Sequence, residues 1–283
     1  MIEDHQADAF NPPKIKSNDQ SENKFNSLIQ ILFSGFGNWD AKHFLHIAQY
    51  GYVYEHSSAF FPLLPLFIKF IKLAFFDYLT GLDDNSKYLL SGVLLNFFLF
   101  NICMIYLYKL TLINFNSNSK MAFMTVLLYS INPANIFFSA VYSECLYSTL
   151  TFSALYYLYI KKFLICLIIL FFSGFCRSNG ALNYGFLAYI LVKNYFDKFK
   201  VINEKVKNSS FNNYLRFVIN KSIISEVRHF LKLILILILS LIFLFIPFFL
   251  YQYYIYLIFC TNFYSDKIIL PNHLINYAKE NNY

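Results

Sequence analysis

From Leu233 to Ile258 the chain runs LILILILSLIFLFIPFFLYQYYIYLI without one charged side chain. About 20 apolar residues in a helix cross the hydrocarbon of a bilayer. Lipid offers no hydrogen bonds, so a spanning segment must satisfy its backbone internally, as a helix does. Tyr88–Tyr108, Met121–Ala140 and Tyr142–Ile160 read as further spans. Apolar residues make up 58% and charged residues 14% of the chain, against about 45–50% and 25% in soluble domains. A soluble protein of this size has no interior large enough to hide that surface. The expected fold class is an all-α, polytopic membrane protein.

The charge is uneven. The net +7 is concentrated between residues 193 and 232, where nine Lys and Arg face three acids, Asp197, Glu204 and Glu226. Basic loops between spans face the cytoplasm, so this excess points to topology and not to nucleic acid. The cysteines Cys103, Cys145, Cys166, Cys176 and Cys260 are scattered, with no C-x-x-C pair. They read as small core hydrophobes, without a disulfide framework or a metal site. Residues 1–27 have no apolar signal-peptide core.

Polar chemistry gathers in residues 38–65, NWDAKHFLHIAQYGYVYEHSSAFFPLLP. Trp39 is the only tryptophan. If residues 38–50 are helical, Asp40, His43 and Ile47 share a face and His46 flanks it. One carboxylate and one or two imidazoles then project together. Asp40 also suits a helix N-cap, a position where Asp is favoured. Asp40, His43 and His46 alone do not make a complete metal-ligand set. Glu144 in VYSECLY and Arg177 in CRSNG sit beside apolar segments, where a charge is expensive and turns to a cavity or a partner. Each is the other's candidate ion-pair partner. Asn132–Pro133 reads as a helix break. Asp83–Asp84 reads as a solvated turn. No phosphate-binding glycine loop and no nucleotide-sugar D-x-D cluster is present.

Four blocks carry a resemblance. The W-D-x-x-H-F-x-x-I-A-x-x-G-Y run, continued by A-F-F-P, spans residues 39–62. NPANIFFSAVYSECLYSTLTFSA, RSNG and PFFLYQYYIYLIFC follow in order. Together they resemble the GPI mannosyltransferase 2 family (PIG-V type), membrane glycosyltransferases of the GT-C class. The resemblance implies a GT-C helical bundle with a lumenal catalytic loop in the endoplasmic reticulum membrane. It implies dolichyl-phosphate mannose as donor and a mannosylated glucosaminyl phosphatidylinositol as acceptor, joined α-1,6 with inversion. No cofactor is expected; membrane lipids and a small membrane accessory subunit are further expected partners. Asp40 is the expected base and His43 its companion, with Glu55, Asp4 and Asp8 as alternatives. Trp39, Glu55, His56, Glu144, Arg177 and Asn179 are the expected substrate-binding residues, Arg177 meeting the leaving phosphate. Gly180 permits close packing. Family members also imply spans before residue 1 and beyond Tyr283. Other readings are a GT-C mannosyltransferase for another lipid-linked glycan and a non-catalytic subunit of a glycosyltransferase complex. A channel would need inverted repeats or acids along a pore, and neither is present.

The segments divide as a lumenal loop (1–58), transmembrane helices (59–192), a basic cytoplasmic loop (193–232), a last span (233–260) and a lumenal tail (261–283). Residues 25–36 form a short amphipathic helix, either in the membrane plane or packed on the spans. Two paths fit the middle. If Arg177 marks a turn between two short helices, loop 77–87 lies on the Asp40 side and Ala59–Phe76 dips. If 163–192 is one broken span, Ala59–Phe76 crosses. The sequons at Asn208 and Asn220 fall in the basic loop and are expected to be bare. Endoglycosidase treatment will leave the electrophoretic mobility unchanged; a shift traced to either asparagine would invert the topology.

Overall fold

A computed structural model describes residues 24–79, 81–207 and 214–261, and among these every regular element is helical. Asp4, Asp8, the sequon at Asn208 and the tail from residue 262 lie outside the described residues. The helices are α1 (Lys24–Phe33), α2 (Asp40–Tyr50), α3 (Leu63–Ile71), α4 (Asp84–Asn114) and α5 (Ser119–Ser130). They continue as α6 (Ile136–Ser139), α7 (Ser143–Tyr159), α8 (Phe163–Cys176), α9 (Tyr184–Lys207) and α10 (Tyr214–Phe259).

Two of these helices, α4 and α10 over Val227–Phe259, are long and apolar enough to cross a membrane unaided. The protein is an all-α membrane protein. Met121–Ala140 is not one straight helix. It breaks at Asn132–Pro133 and bends by 67° between α5 and the Pro133–Ser139 segment. Asn132 Oδ1 accepts from Ala134 N at 2.9 Å and caps the new turn, while Pro133 has no N–H to continue the old one. The 17 residues of α7 rise about 25 Å, and the 14 of α8 about 21 Å. Both fall short of the roughly 30 Å hydrocarbon core.

Side-chain bonds fix the directions. Cys145 Sγ donates to Asn96 O at 3.3 Å and Thr149 Oγ1 to Leu99 O at 2.9 Å. The Tyr106 and Tyr157 hydroxyls meet at 3.4 Å. Thus α4 and α7 run parallel. α8 returns, so that Cys176 reaches the Ser143 carbonyl at 3.7 Å. The chain then turns at Arg177 and α9 descends again, with Asn183 Nδ2 donating to Thr151 Oγ1 at 3.1 Å. α10 climbs past Tyr184, whose hydroxyl donates to Leu237 O at 3.1 Å, and ends against Ser58, whose carbonyl accepts from Tyr251 at 2.7 Å.

Arg177 therefore lies at a turn between two separate helices, of which only α8 is short, 14 residues against 24 in α9. Asp40, Glu144, Arg177 and the end of α10 share a near face. The α4–α5 turn at Asn116–Ser117, the Lys161–Lys162 turn and the end of α9 share the far face. α3 does not cross. Phe61, just before it, packs against Tyr251, and Lys72, which opens its helical continuation Lys72–Phe76, pairs with Asp77 at 2.7 Å and Asp84 at 3.6 Å. Asp83 N donates to Asn26 Oδ1 of α1 at 3.2 Å. Loop 77–83 is thus on the same side as α1 and α2.

α1 turns its polar side chains inward. Gln30 donates to Ser86 Oγ at 3.2 Å and Asn26 accepts from Asp83, while Ile29 is buried. Phe25, Leu28, Ile31 and Leu32 remain exposed. Leu66, Phe70, Leu73 and Phe75 on α3 and its continuation are exposed as well. Apolar side chains facing outward on helices too short to span suit the plane of the bilayer interface. The face assignment predicts opposite labelling. In sealed vesicles, in a Cys260→Ser background, Ser34→Cys and Ser117→Cys will react with an impermeant thiol reagent from opposite sides; labelling from one side would break the topology.

Candidate functional site

Three distant segments meet at the near face. The first is the start of α2. Trp39 precedes it at φ 54°, ψ −125°, a region unusual for a bulky residue and of the kind that clusters at functional sites. Asp40 follows as the first helical residue. The capping position falls on Trp39, which makes no capping side-chain bond. The second segment is Ala140–Val141–Tyr142, a tight bend closed by Tyr142 N donating to Ala140 O at 2.7 Å, which leads into Ser143 and Glu144. The third is Arg177, extended, at the end of α8.

These segments enclose a cleft of about 170 Å³. Asp40, Glu144, Arg177, Ser143 and Ser178 give its polar wall; Phe44, Phe60 and Phe61 give its apolar wall. It is smaller than the roughly 300–1,000 Å³ of drug-sized ligand sites. A space of that size takes one small polar group. Arg177 Nη1 donates to Glu144 Oε1 at 2.5 Å, both side chains about one-third exposed. Of the two sequence-based readings of Arg177, ion pairing with Glu144 is the one the geometry contains. A guanidinium carries five N–H donors, so this bond leaves most of them available.

Asp40 stands at the mouth, exposed by its own surface but backed by aromatic rings. Burial raises its carboxyl pKa above the ordinary range; the Glu144 carboxylate adds to the rise and Arg177 opposes it. The Tyr142 hydroxyl lies 3.3 Å from the Asn38 carbonyl and donates to it. Its pKa is raised by burial and by the Asp40 charge.

The histidines form a separate layer behind the apolar wall. His43 stacks on Phe60 with centroids 4.3 Å apart and meets His56 edge-on at 5.4 Å. His56 stacks on Tyr54, and Tyr54 contacts His46, each at 5.4 Å. Burial, reinforced by neighbouring imidazoles, pushes His43 and His46 down to about 4. Both are neutral near pH 7. His43 is not on the lining of the Asp40 cleft; it reaches that cleft through Phe60. Glu55, His56, Trp39 and Asn179 are exposed and do not line it either. Among the described residues no three His, Cys, Asp or Glu side chains converge as a metal-ligand set.

Ser143, Ser178, Phe44, Phe60 and Phe61 lie inside the four sequence blocks, yet nothing in their own chemistry marked them as cleft lining. Gly180 is required by geometry: a Cβ there would stand 2.1 Å from the Ser173 carbonyl oxygen. Asn183, buried below the Arg177 turn, bonds Thr151 and accepts from Tyr147 at 3.3 Å.

The fold and cleft thus define a helical membrane protein with two carboxylates and an arginine at one face. Its sequence matches the mannosyltransferase (PIG-V) family over residues 1–219; the chain belongs to that family. It is 32% identical over its whole length to human GPI alpha-1,6-mannosyltransferase 2, covering 52% of that protein. It is 34% identical over 209 residues to GPI mannosyltransferase 2 of Drosophila melanogaster, a match covering 68% of this chain and 44% of the fly protein. The chain spans about half the length of the curated relatives it matches. No solved structure matches it.

The neutral imidazole layer predicts acid sensitivity. A histidine whose folded pKa lies below its unfolded value contributes stability that is complete above about 6.5 and lost as pH falls towards 4. The raised Asp40 pKa acts with the opposite sign, through one group at the cleft mouth. The melting temperature in detergent will fall between pH 7 and 5, and His46→Phe will flatten that slope. An equal slope in the variant would remove the histidines as its cause.

Proposed function

We propose that this cleft transfers the second mannose of the GPI core. The donor is dolichyl-phosphate mannose, and the acceptor is a mannose-bearing glucosaminyl phosphatidylinositol, joined through an α-1,6 bond. The observation that carries the reading is the meeting of Asp40, Glu144 and Arg177 in one small cleft of a family member. The near face is lumenal in this reading. The basic stretch at the end of α9 lies on the far, cytoplasmic face, and the membrane is that of the endoplasmic reticulum.

The β-linked donor and α-linked product require inversion, hence one in-line displacement. Asp40 takes the proton from the acceptor hydroxyl as that oxygen attacks the anomeric carbon. The bond from that carbon to the phosphate oxygen breaks, and dolichyl phosphate leaves on the opposite side. Its environment moves Asp40 above the ordinary carboxylate range, which strengthens it as a base near neutrality. Arg177 offers its remaining N–H donors to the leaving phosphate, a match of planar fork and oxyanion. Glu144 keeps that guanidinium in place and accepts from sugar hydroxyls. His43 acts through Phe60, as support for the apolar wall. Trp39, Glu55, His56 and Asn179 border the entrance, where the rest of the acceptor lies. The polyprenyl chain stays in the bilayer against apolar helix faces. No resident cofactor enters the scheme.

Complementation tests it. Cells lacking the second GPI mannosyltransferase will recover surface GPI-anchored protein when given this chain extended by its flanking coding sequence. Asp40→Asn at equal expression will lose about 10²–10⁴-fold in transfer rate, the range for a general base. Rescue by Asp40→Asn would remove Asp40 from the chemistry. No rescue by a well-expressed extended chain would exclude this acceptor and favour another lipid-linked glycan.

A further inference from the structure

Asn96 sits in the middle of α4, fully buried in the apolar run LLNFFLF. Its Nδ2 donates to two backbone carbonyls, Ala140 O and, at 3.1 Å, Tyr142 O. Two facing carbonyl oxygens admit only the NH₂ end of the amide, so its orientation is set. Its Oδ1 has no hydrogen-bond partner, so the amide is committed to these carbonyls alone. One turn earlier, Gly92 lets the same segment approach closely: a Cβ there would lie 2.6 Å from Val141 Cγ1. On its other side the segment is tied to the short 3₁₀ turn, Ser34–Gly37, that leads into α2. Val141 N donates to Phe36 O at 3.0 Å, and the Tyr142 hydroxyl to Asn38 O. Ala140–Tyr142 is thus clamped between α4 and residues 36–38. Glu144 begins two residues beyond one end of that clamp, and Asp40 two residues beyond the other.

An asparagine between helices commonly serves as packing glue. Here the backbone it holds is the tight bend between α6 and α7, closed by Tyr142 N donating to Ala140 O, that spaces the two carboxylates. We infer that Asn96 is a positioning residue that sets the separation of Asp40 from the Glu144–Arg177 pair by holding the Ala140 and Tyr142 carbonyls. For its kinetic consequences this rests on the proposed mannosyl transfer; for its geometric consequence it does not.

The experiment has two arms in the full-length protein in membranes. In the kinetic arm, Asn96→Leu removes the donors at similar volume, and Asn96→Asp sets carboxylate oxygens against the carbonyls. With protein amount and melting temperature near those of the parent, kcat will fall by about tenfold or more while KM for dolichyl-phosphate mannose stays within about threefold, since misplacement of reacting groups by about 1 Å is enough. The acid limb of the pH–rate profile will also move, because the charges around Asp40 are displaced. In the geometric arm, Asp40→Cys and Glu144→Cys are joined by a short bifunctional maleimide, with a protease site placed at the Asn116–Ser117 turn to reveal joined halves. Adding Asn96→Leu will lower the yield of joined halves about threefold. If Asn96→Leu does not accumulate, Gly92→Ala, which displaces Val141 from the same helix, will show the same signature. An unchanged cross-link yield, or an activity loss matched by loss of folded protein with KM and pH limb unmoved, would overturn the inference. If the parent transfers no mannose, the proposed function fails and the cross-link arm still decides on Asn96.

Discussion

Backbone that leaves a helix at membrane depth must find its hydrogen bonds in protein, because lipid supplies none. This chain leaves helical geometry at several places on one face, and each break is satisfied by a specific partner. Ala140–Tyr142 is held by Asn96 and Phe36. The Arg177–Asn183 turn folds back so tightly that Gly180 rests on the Ser173 carbonyl. Its hydroxyl-bearing neighbours, Ser173 and Thr151, take up Asn183. Such breaks are tolerated where they line a cavity, and the polar cleft is the cavity they line.

The helix lengths follow from the same constraint. α7 and α8 are short, and their near ends present Glu144, in the first turn of α7, and Arg177, just past the end of α8, to the cleft. α4 and α10, which carry no cleft residue, run long and supply the scaffold. Pro247 inside α10 packs on Gly174 of α8, where an added Cβ would come within 3.1 Å of it. The two helices therefore approach closely just below Arg177. The Arg177–Glu144 bond closes the arrangement across the ends of α7 and α8.

Much of this was legible in the letters. Long apolar runs announced α4 and α10, and the Asn132–Pro133 break was readable from proline's missing donor. The isolated charges at Asp40, Glu144 and Arg177 marked the cleft because charge beside apolar helices needs a partner. Other features were not legible. His43 falls on the helical face of Asp40 by spacing, yet a stacked phenyl ring, Phe60, comes between it and the cleft, and ring packing has no sequence period. Asn96 looks like one polar letter in a span; only the carbonyls that cross in front of it give it a role. The path of Ala59–Phe76 was ambiguous because span parity depends on whether Arg177 is a turn. Contacts decide that, and composition does not.

Trp39 marks the mouth of the cleft in a second way. It is the only indole in these 283 residues, it is 64% exposed, and it immediately precedes Asp40. Tyrosine and phenylalanine absorb little at the red edge of the indole band. Emission excited there from this chain therefore arises at one place, the residue before Asp40 of the cleft. These 283 residues carry their own local probe of polarity beside the cleft, readable without any attached dye.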